Sequence, residues 1–283
     1  MRQVDLVQHS PGPALRGLVG PCSGWQQSGG APGVHRGLPS PWVTFILTLH
    51  EPLVVLDHGR PRTYGTLVGG LHTTPETITH DGNQSGVQVA LHPFAARAVL
   101  GVPAGALGGN ADAVAVAGRW VHELQQRLRD APSWDSRFAV LDEVLARSLV
   151  DVAAPAPELV RAWFLLTRSR APTVEQVAED VGWSSRHLRA QLLAETGLGP
   201  RSLTRVARFD RARRHLGERA SAGARLDLAG LAAAHGYYDQ AHLAREFGVL
   251  AGSAPSEWVA AEHAVLVPNR PSGDGSGRRK VSA

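Results

Sequence analysis

Two stretches of this sequence are near-copies of each other: "VAEDVGWSSRHLRAQLL", 177–193, and "LAAAHGYYDQAHLAREF", 231–247. Aligning Ala178 with Ala232 places Gly182 over Gly236 and Trp183 over Tyr237, an offset of 54. Beyond the turn the offset becomes 55, with Leu188 over Leu243, Leu192 over Phe247, Gly197 over Gly252 and Pro200 over Pro255. The second copy thus carries one extra residue in its turn while each core position is kept. Recurrence of a small residue, a turn glycine, an aromatic and two apolar residues four apart, in order, is a structural repeat and not a composition effect.

Each copy reads as helix, turn, helix. Ala178 and Ala232 are small enough to let two helices approach closely. Gly182 and Gly236 suit the position after a helix where φ turns positive. Trp183 and Tyr237 close the apolar junction beneath the turn. Ser184 in one copy, and Asp239 or Tyr238 in the other, stand where the next helix begins; Ser and Asp cap free N–H groups there. The spacing turns Leu188 and Leu192, or Leu243 and Phe247, inward. It leaves Ser185, Arg186, Arg189 and Ala190 outward in the first copy, and Gln240, Ala241, His242 and Arg245 in the second. Arg suits guanine edges and Gln suits adenine edges, so these faces match base-reading chemistry.

Between the copies, "RSLTRVARFDRARRHLGE", Arg201–Glu218, reads as one helix with Leu203, Val206, Phe209 (or Ala207), Ala212 and Leu216 inward. Its eighteen residues span about 27 Å, a spacer suited to the ~34 Å separation of successive major grooves. Net charge is +4 for the chain, but residues 186–219 hold nine Arg against three acids. Of the 29 cations only Lys280 is lysine. Arginine favours bidentate contact with phosphate, and Arg205, Arg208, Arg211, Arg213 and Arg214 are candidates for it, although a basic cluster is ordinarily a solvated face or pairs with acids such as Asp210 and Glu218.

The region 158–262 resembles the DNA-binding domain of the AraC/XylS family of bacterial transcription regulators. The likeness rests on "VAEDVGWSSRHLRAQLLAETGLGP", "RVARFDRARRHL" and "LAAAHGYYDQAHLAREFGVLAGSAPSEW". It implies seven helices, two helix-turn-helix units and a monomer reading two adjacent grooves. By motif position the base readers are Ser185, Arg186 and Arg189, then Gln240, His242 and Arg245, while His187 lies near the backbone and joins Arg205 and Arg208 as a phosphate contact. The helix-turn-helix core is Ala178, Gly182, Trp183, Leu188 and Leu192, matched by Ala232, Gly236, Tyr237, Leu243 and Phe247. Two positions depart from the family pattern. Gly248 stands where a basic residue is common, which weakens a phosphate contact, and Ala190 is small where some relatives carry a base-contacting side chain. The resemblance implies activation in place of repression, with double-stranded DNA, RNA polymerase and a small effector as partners.

The N-terminal half is less explicit. Residues 1–40 are rich in Gly, Pro and Ser and read as irregular with a strand or two. Short β-type runs follow ("WVTFILTL", "PLVVLD", "YGTLVGGL", "GVQVALH"), split by "DHGRP" and "HDGNQSG", which predicts a small antiparallel sheet, sandwich or partial barrel. Helical spacing takes over at "PFAARAVLG", Gly118–Asp130 and Trp134–Val150. Family resemblance makes this a cupin-like domain for effector binding or dimerisation. The expected fold class is therefore α+β: a β-rich N-terminal domain with its own helices over 1–150, a Pro/Ala linker at 151–157, an all-α double helix-turn-helix domain over 158–262, and a disordered basic tail at 263–283.

Other chemistries find little support. His35, His50, His58, His72, His80 and His92 lie near the strands, but no His-x-His pattern of a cupin metal site occurs, so no metal and no cofactor are expected. "HDG" at 80–82 reads as a turn, "GALGGN" at 105–110 lacks the strand a phosphate loop needs, and no G-x-S-x-G context supports a serine hydrolase. Cys22 is the single cysteine, so neither an internal disulfide nor a thiolate cluster can form. No export signal and no run of about 18 apolar residues occur, and a cytoplasmic location is expected. Two rivals to a regulator remain: an enzyme with N-terminal metal or acid–base chemistry through His72 or His80, and an architectural protein whose N-terminal half merely dimerises.

Overall fold

In the computed structural model, residues 3–57, 59–149, 152–168, 170–264 and 279–281 are described. The N-terminal half is built on antiparallel strands β1 (Gln3–His9), β2 (Val19–Ser28), β3 (Gly33–Gly37), β4 (Val43–Thr48), β5 (Leu53–Asp57), β6 (Arg60–Tyr64), β7 (Thr66–Gly69), β8 (Glu76–His80), β9 (Gln84–Leu91) and β10 (Asn110–Asp112). A last strand, β11 (Arg279–Val281), comes from the other end of the chain. One sheet runs β10-β7-β4-β9-β2-β1-β11 and the other β3-β8-β5-β6.

The two-residue period of β4 shows why the sheets stack. Ile46 points to a core shared with Leu53, Val55 and Ile78 of the smaller sheet. Its neighbours Phe45 and Leu47 point the other way, into a core with Leu124, Leu128, Leu141 and Leu145. Both faces of the central strands are therefore covered, and an alternating strand becomes apolar throughout. The covering helices are α1 (Ala96–Leu100), α2 (Ala113–Ala117), α3 (Trp120–Asp130) and α4 (Trp134–Ser148). Buried Gln125 of α3 donates to the carbonyls of Thr48 (2.9 Å) and Gly65 (2.7 Å), which ties the helix to the ends of β4 and β7 and satisfies its own amide.

The strand-poor reading of residues 1–40 is corrected: β1, β2 and β3 all lie there. In β2 the small residues are packing devices. A Cβ on Gly24 would come within 2.3 Å of the Trp134 ring, and one on Gly86 of β9 within 2.7 Å of Trp25. Two indoles thus pack where glycine removes the side chain. Pro21 falls between Val19 and Cys22, where the register of β2 against β9 shifts and a missing N–H is tolerated. Cys22 is fully buried, and burial pushes its thiol up, with Asp142 adding to the effect. The tail expected to lack structure is corrected in one segment, since Arg279–Val281 pairs with Val4–Leu6 of β1; residues 265–278, 282 and 283 lie outside the described residues, as do 150 and 151 and His58.

The C-terminal part comprises α5 (Pro157–Thr167), α6 (Val174–Asp180), α7 (Ser185–Thr196), α8 (Pro200–Ser221), α9 (Leu228–Ala234), α10 (Gln240–Leu250) and α11 (Pro255–Ala264). The connecting helix α8 is longer than the Arg201–Glu218 expected: Pro200 opens it with a fixed φ at its first position, and it continues to Ser221. One core runs through Leu188, Leu192, Val206, Phe209, Leu243, Phe247 and Trp258. Phe247 lies edge-on to Phe209 at 5.0 Å between centroids and to Trp258 at 6.2 Å.

The two halves are packed together. Arg97 forms a two-pronged contact with Glu195 of α7 at 3.1 and 2.7 Å. Gly105 lies so close that a Cβ would meet the Ala194 carbonyl at 2.4 Å. The rings of His92 and Phe94 lie against Trp163 of α5 at 5.3 and 5.4 Å. Leu38, which follows β3, is buried in the C-terminal core. Burial at this seam holds His92 down to about 4; His35 is held to about 3, and His235 to about 4 beside His215. All three lie below the ordinary histidine value in the fold and near 6.5 once unfolded, so the unfolded chain binds more protons in acid. Their stabilising contribution is complete above about pH 6.5 and is lost as pH falls toward about 4. A urea midpoint measured at about pH 5 is therefore expected below that at about pH 7.5, and equal midpoints would contradict the burial of these rings.

Candidate nucleic-acid interface

The two helix-turn-helix units share one backbone design. In α6–α7, the N–H of Gly182 donates to the Glu179 carbonyl and that of Trp183 to the Ala178 carbonyl (3.0 and 2.8 Å). In α9–α10, Gly236 donates to Ala233 and Tyr237 to Ala232 (3.4 and 2.9 Å). Gly182 and Gly236 have φ of 71° and 75°, the left-handed region where a Cβ is penalised. Both glycines are exposed, so within the expected core they act through conformation and not through burial. Ala178, Leu188, Leu192, Ala232, Tyr237, Leu243 and Phe247 are buried, whereas Trp183 is half-buried and stands edge-on to the His187 ring at 4.7 Å.

The caps fall where the extra residue requires. Ser184 accepts from the His187 N–H at 3.2 Å, and Asp239 accepts from the His242 N–H at 2.7 Å. Tyr238 is therefore not a cap. It is the inserted residue, pushed out of the turn and 92% exposed. The sequence offered it only as an alternative cap; the change of offset signals an extra residue in this turn but does not say which one it is.

The expected base readers divide into two groups. Ser185, Arg186, Arg189, Gln240 and Arg245 are exposed, and among the described residues none of the three arginines is in an ion pair. His242 is different: half-buried, it accepts from the Tyr238 N–H through Nδ1 at 3.2 Å and packs edge-on against Tyr237 at 5.3 Å. Its present partners make it a brace for the turn. Among the expected phosphate contacts, His187 is exposed. Arg205 and Arg208 are both drawn to Glu246: Arg205 Nε lies 2.9 Å from each carboxylate oxygen, and Arg208 Nη2 lies 3.5 Å from one. The Arg208 guanidinium also lies over the Tyr237 ring at 4.7 Å. These two cations tie α8 to α10, which is a positioning task. Glu246 was missed in the sequence; its signal is an acid set between Leu243 and Phe247 on the apolar stripe of α10, where a carboxylate needs a cation from the facing helix.

Arg213 and Arg214 likewise turn inward, onto Asp210 at 2.5 and 3.0 Å. Arg186 and Arg189 of α7 and Arg245 of α10 thus stand exposed, while Arg205, Arg208, Arg213 and Arg214 of α8 are drawn onto carboxylates; Arg201 and Arg219, near the ends of α8, are exposed as well. Gly248 lies exposed on α10 with open space around it, and Ala190 is exposed on α7. Among the described residues no cluster of three metal-ligating side chains occurs, and no helix is long and apolar enough to cross a membrane.

The comparisons with known proteins fall on the same region. Residues 160–261 match a family model described as a helix-turn-helix domain. Comparison with curated protein sequences finds no match. Among solved structures, ToxT from Vibrio cholerae strain SCE256, crystallised with an unsaturated fatty acid, is similar over 91% of this chain and 94% of its own, with TM-score 0.50 and 8% identity. ToxT from Vibrio cholerae in its P21 crystal form is similar over 92% of this chain and 98% of its own, with TM-score 0.49 and 10% identity. The AraC-like transcriptional activator CuxR covers 77% of this chain and 88% of its own, with TM-score 0.25 and 14% identity. At such identities the first of these likenesses speaks for the fold, a β-rich N-terminal part followed by helices. Two helix-turn-helix units of one design, joined by a continuous helix, lie within the matched region: residues 160–261 of this chain form a helix-turn-helix domain of the AraC type.

Proposed function

We propose that this regulator reads two successive major grooves on one face of a duplex, with α7 in one and α10 in the next. Ser185, Arg186 and Arg189 carry base readout in the first unit, and Gln240 and Arg245 carry it in the second, with His242 holding the turn and Tyr238 reaching the backbone beside it. The observation that carries this reading is the exposure of both faces while their apolar counterparts are buried. The 22 residues of α8 correspond to about 33 Å of helix, close to the ~34 Å between half-sites one turn apart. His187 and neighbouring backbone amides supply phosphate anchoring.

On this reading residues 1–150 sense a small effector or dimerise, 151–157 link, and 158–262 bind DNA, with no catalytic role for the N-terminal half and a cytoplasmic site of action. Activation through RNA polymerase fits the family. Effector control draws support from the space between the two sheets and from ToxT, which was crystallised with an unsaturated fatty acid.

The test is geometric. Inserting about 5 bp between the two halves of the bound site rotates one groove to the far side of the duplex. Affinity is expected to fall to that of a single unit, and inserting about 10 bp is not expected to restore it, because α8 is one continuous helix. Unchanged affinity after the half-turn insertion would show that one unit reads alone.

A further inference from the structure

The two sheets enclose a pocket of about 590 Å³, counting its open mouth. Trp25, Ile46 and Ile78 represent its apolar wall; His35, His72 and Glu76 stand on its polar side. Among the described residues no Lys or Arg lines it. Glu76 accepts from Asn110 Nδ2 at 2.7 Å, and His72 Nδ1 bonds to the Thr74 carbonyl at 2.6 Å. His35 has no such occupation: its Nδ1 is buried and without a hydrogen-bond partner. A buried polar atom in that state carries a desolvation penalty that a bound polar group would relieve.

The charges select the ligand. A carboxylate entering this space meets Glu76 and no cation, so its buried charge stays uncompensated. An ammonium would have to give up its hydration for a single carboxylate whose Oε1 already accepts from Asn110, and one such contact does not repay the desolvation of a buried cation. Burial and the neighbouring His80 hold His35 neutral, down to about 3. A neutral imidazole nitrogen donates or accepts according to tautomer, and a hydroxyl complements either. We infer that the inter-sheet pocket binds an uncharged, mainly apolar molecule bearing a hydroxyl, which bonds to His35 Nδ1, and that occupancy reaches the second reading unit through β3.

The route is short. His35 and Gly37 line the pocket, and Arg36 between them points to the other side of the strand. There its Nη1 donates to the carbonyl of Ala251, the residue capping α10, at 2.7 Å. Leu38, the next residue, lines the pocket and is buried in the C-terminal core. A ligand that shifts β3 therefore shifts the hold on the end of α10, and it biases DNA binding by its differential affinity for the two arrangements.

This inference rests on the regulator reading, and the experiment separates them. Full-length protein is titrated with benzyl alcohol, benzoate and benzylamine, for which a Kd on the order of 1 mM suits molecules of this size. Melting temperature and affinity for the bound DNA site are read together. Benzyl alcohol is expected to raise the Tm and to change DNA affinity several-fold, with benzoate and benzylamine inert. H35F is expected to abolish the alcohol response while leaving DNA binding without ligand intact. R36Q is expected to keep the Tm response and lose the DNA response. Should H35F fail to fold, the imidazole nitrogen resonances of His35 in the unaltered protein must move on adding benzyl alcohol. Benzoate or benzylamine matching the alcohol, a full response in H35F, static His35 signals, or no response to the alcohol each overturn the inference. Absence of sequence-specific DNA binding in the ligand-free protein would instead overturn the regulator reading.

Discussion

Replacing Asp210 with alanine is expected to destabilise the C-terminal helices by about 3–5 kcal/mol, the loss typical of breaking a buried ion pair on one side. The carboxylate is fully buried in α8 and holds Arg213, itself 3% exposed, at 2.5 Å and Arg214 at 3.0 Å. Removing it strands a guanidinium in a site water cannot reach. The loss comes from that uncompensated charge, so a charge-free pair behaves differently: Asp210→Leu with Arg213→Met, of similar bulk, is expected to recover most of the stability. Urea denaturation of the three proteins checks this through their midpoints. A drop under about 1 kcal/mol for Asp210→Ala would mean that the pair is solvated like a surface one. The consequence for function follows from the position of the triad in the middle of the helix that spaces the two reading units.

The C-terminal fold was legible because its constraints are local and written twice. Gly182 and Gly236 announce the turn, and the change of offset from 54 to 55 puts one extra residue in the second turn, without saying whether Tyr238 or Asp239 caps the next helix. What escaped was the pairing between helices. Arg205 and Arg208 face Glu246 across 41 and 38 residues of sequence, and an arginine in an amphipathic helix carries no mark of whether phosphate or a carboxylate meets it. In the N-terminal half, β4, β5 and β9 were readable from apolar alternation. Strands β1, β2 and β3 were not, since Gly24 looks like a breaker until Trp134 from α4 is seen lying on it. His35 was weighed as a metal ligand; its use depends on β8 and the second sheet closing over it, which no neighbouring residue reveals.

The combination of Arg186→Ala and Arg245→Ala is expected to weaken binding to the cognate site by about 2–6 kcal/mol, with each single change contributing about 1–3 kcal/mol. The two side chains belong to different reading helices and share no partner, so their losses should add. Neither is in an ion pair, so truncation leaves no stranded carboxylate and the melting temperature should hold. Base preference should relax at one position per arginine, while binding to random DNA drops far less, because phosphate contacts set that affinity. Glu246→Ala makes the contrast. It frees Arg205 and Arg208 from α10, and it is expected to lower stability and blur the spacing between half-sites without altering preference at any single base. Competition titrations against a panel of single-base site variants resolve the two patterns. Equal losses on cognate and random duplexes for the arginine pair would move Arg186 and Arg245 from base edges to the phosphate backbone, and the reading of α7 and α10 as sequence readers would fall with them.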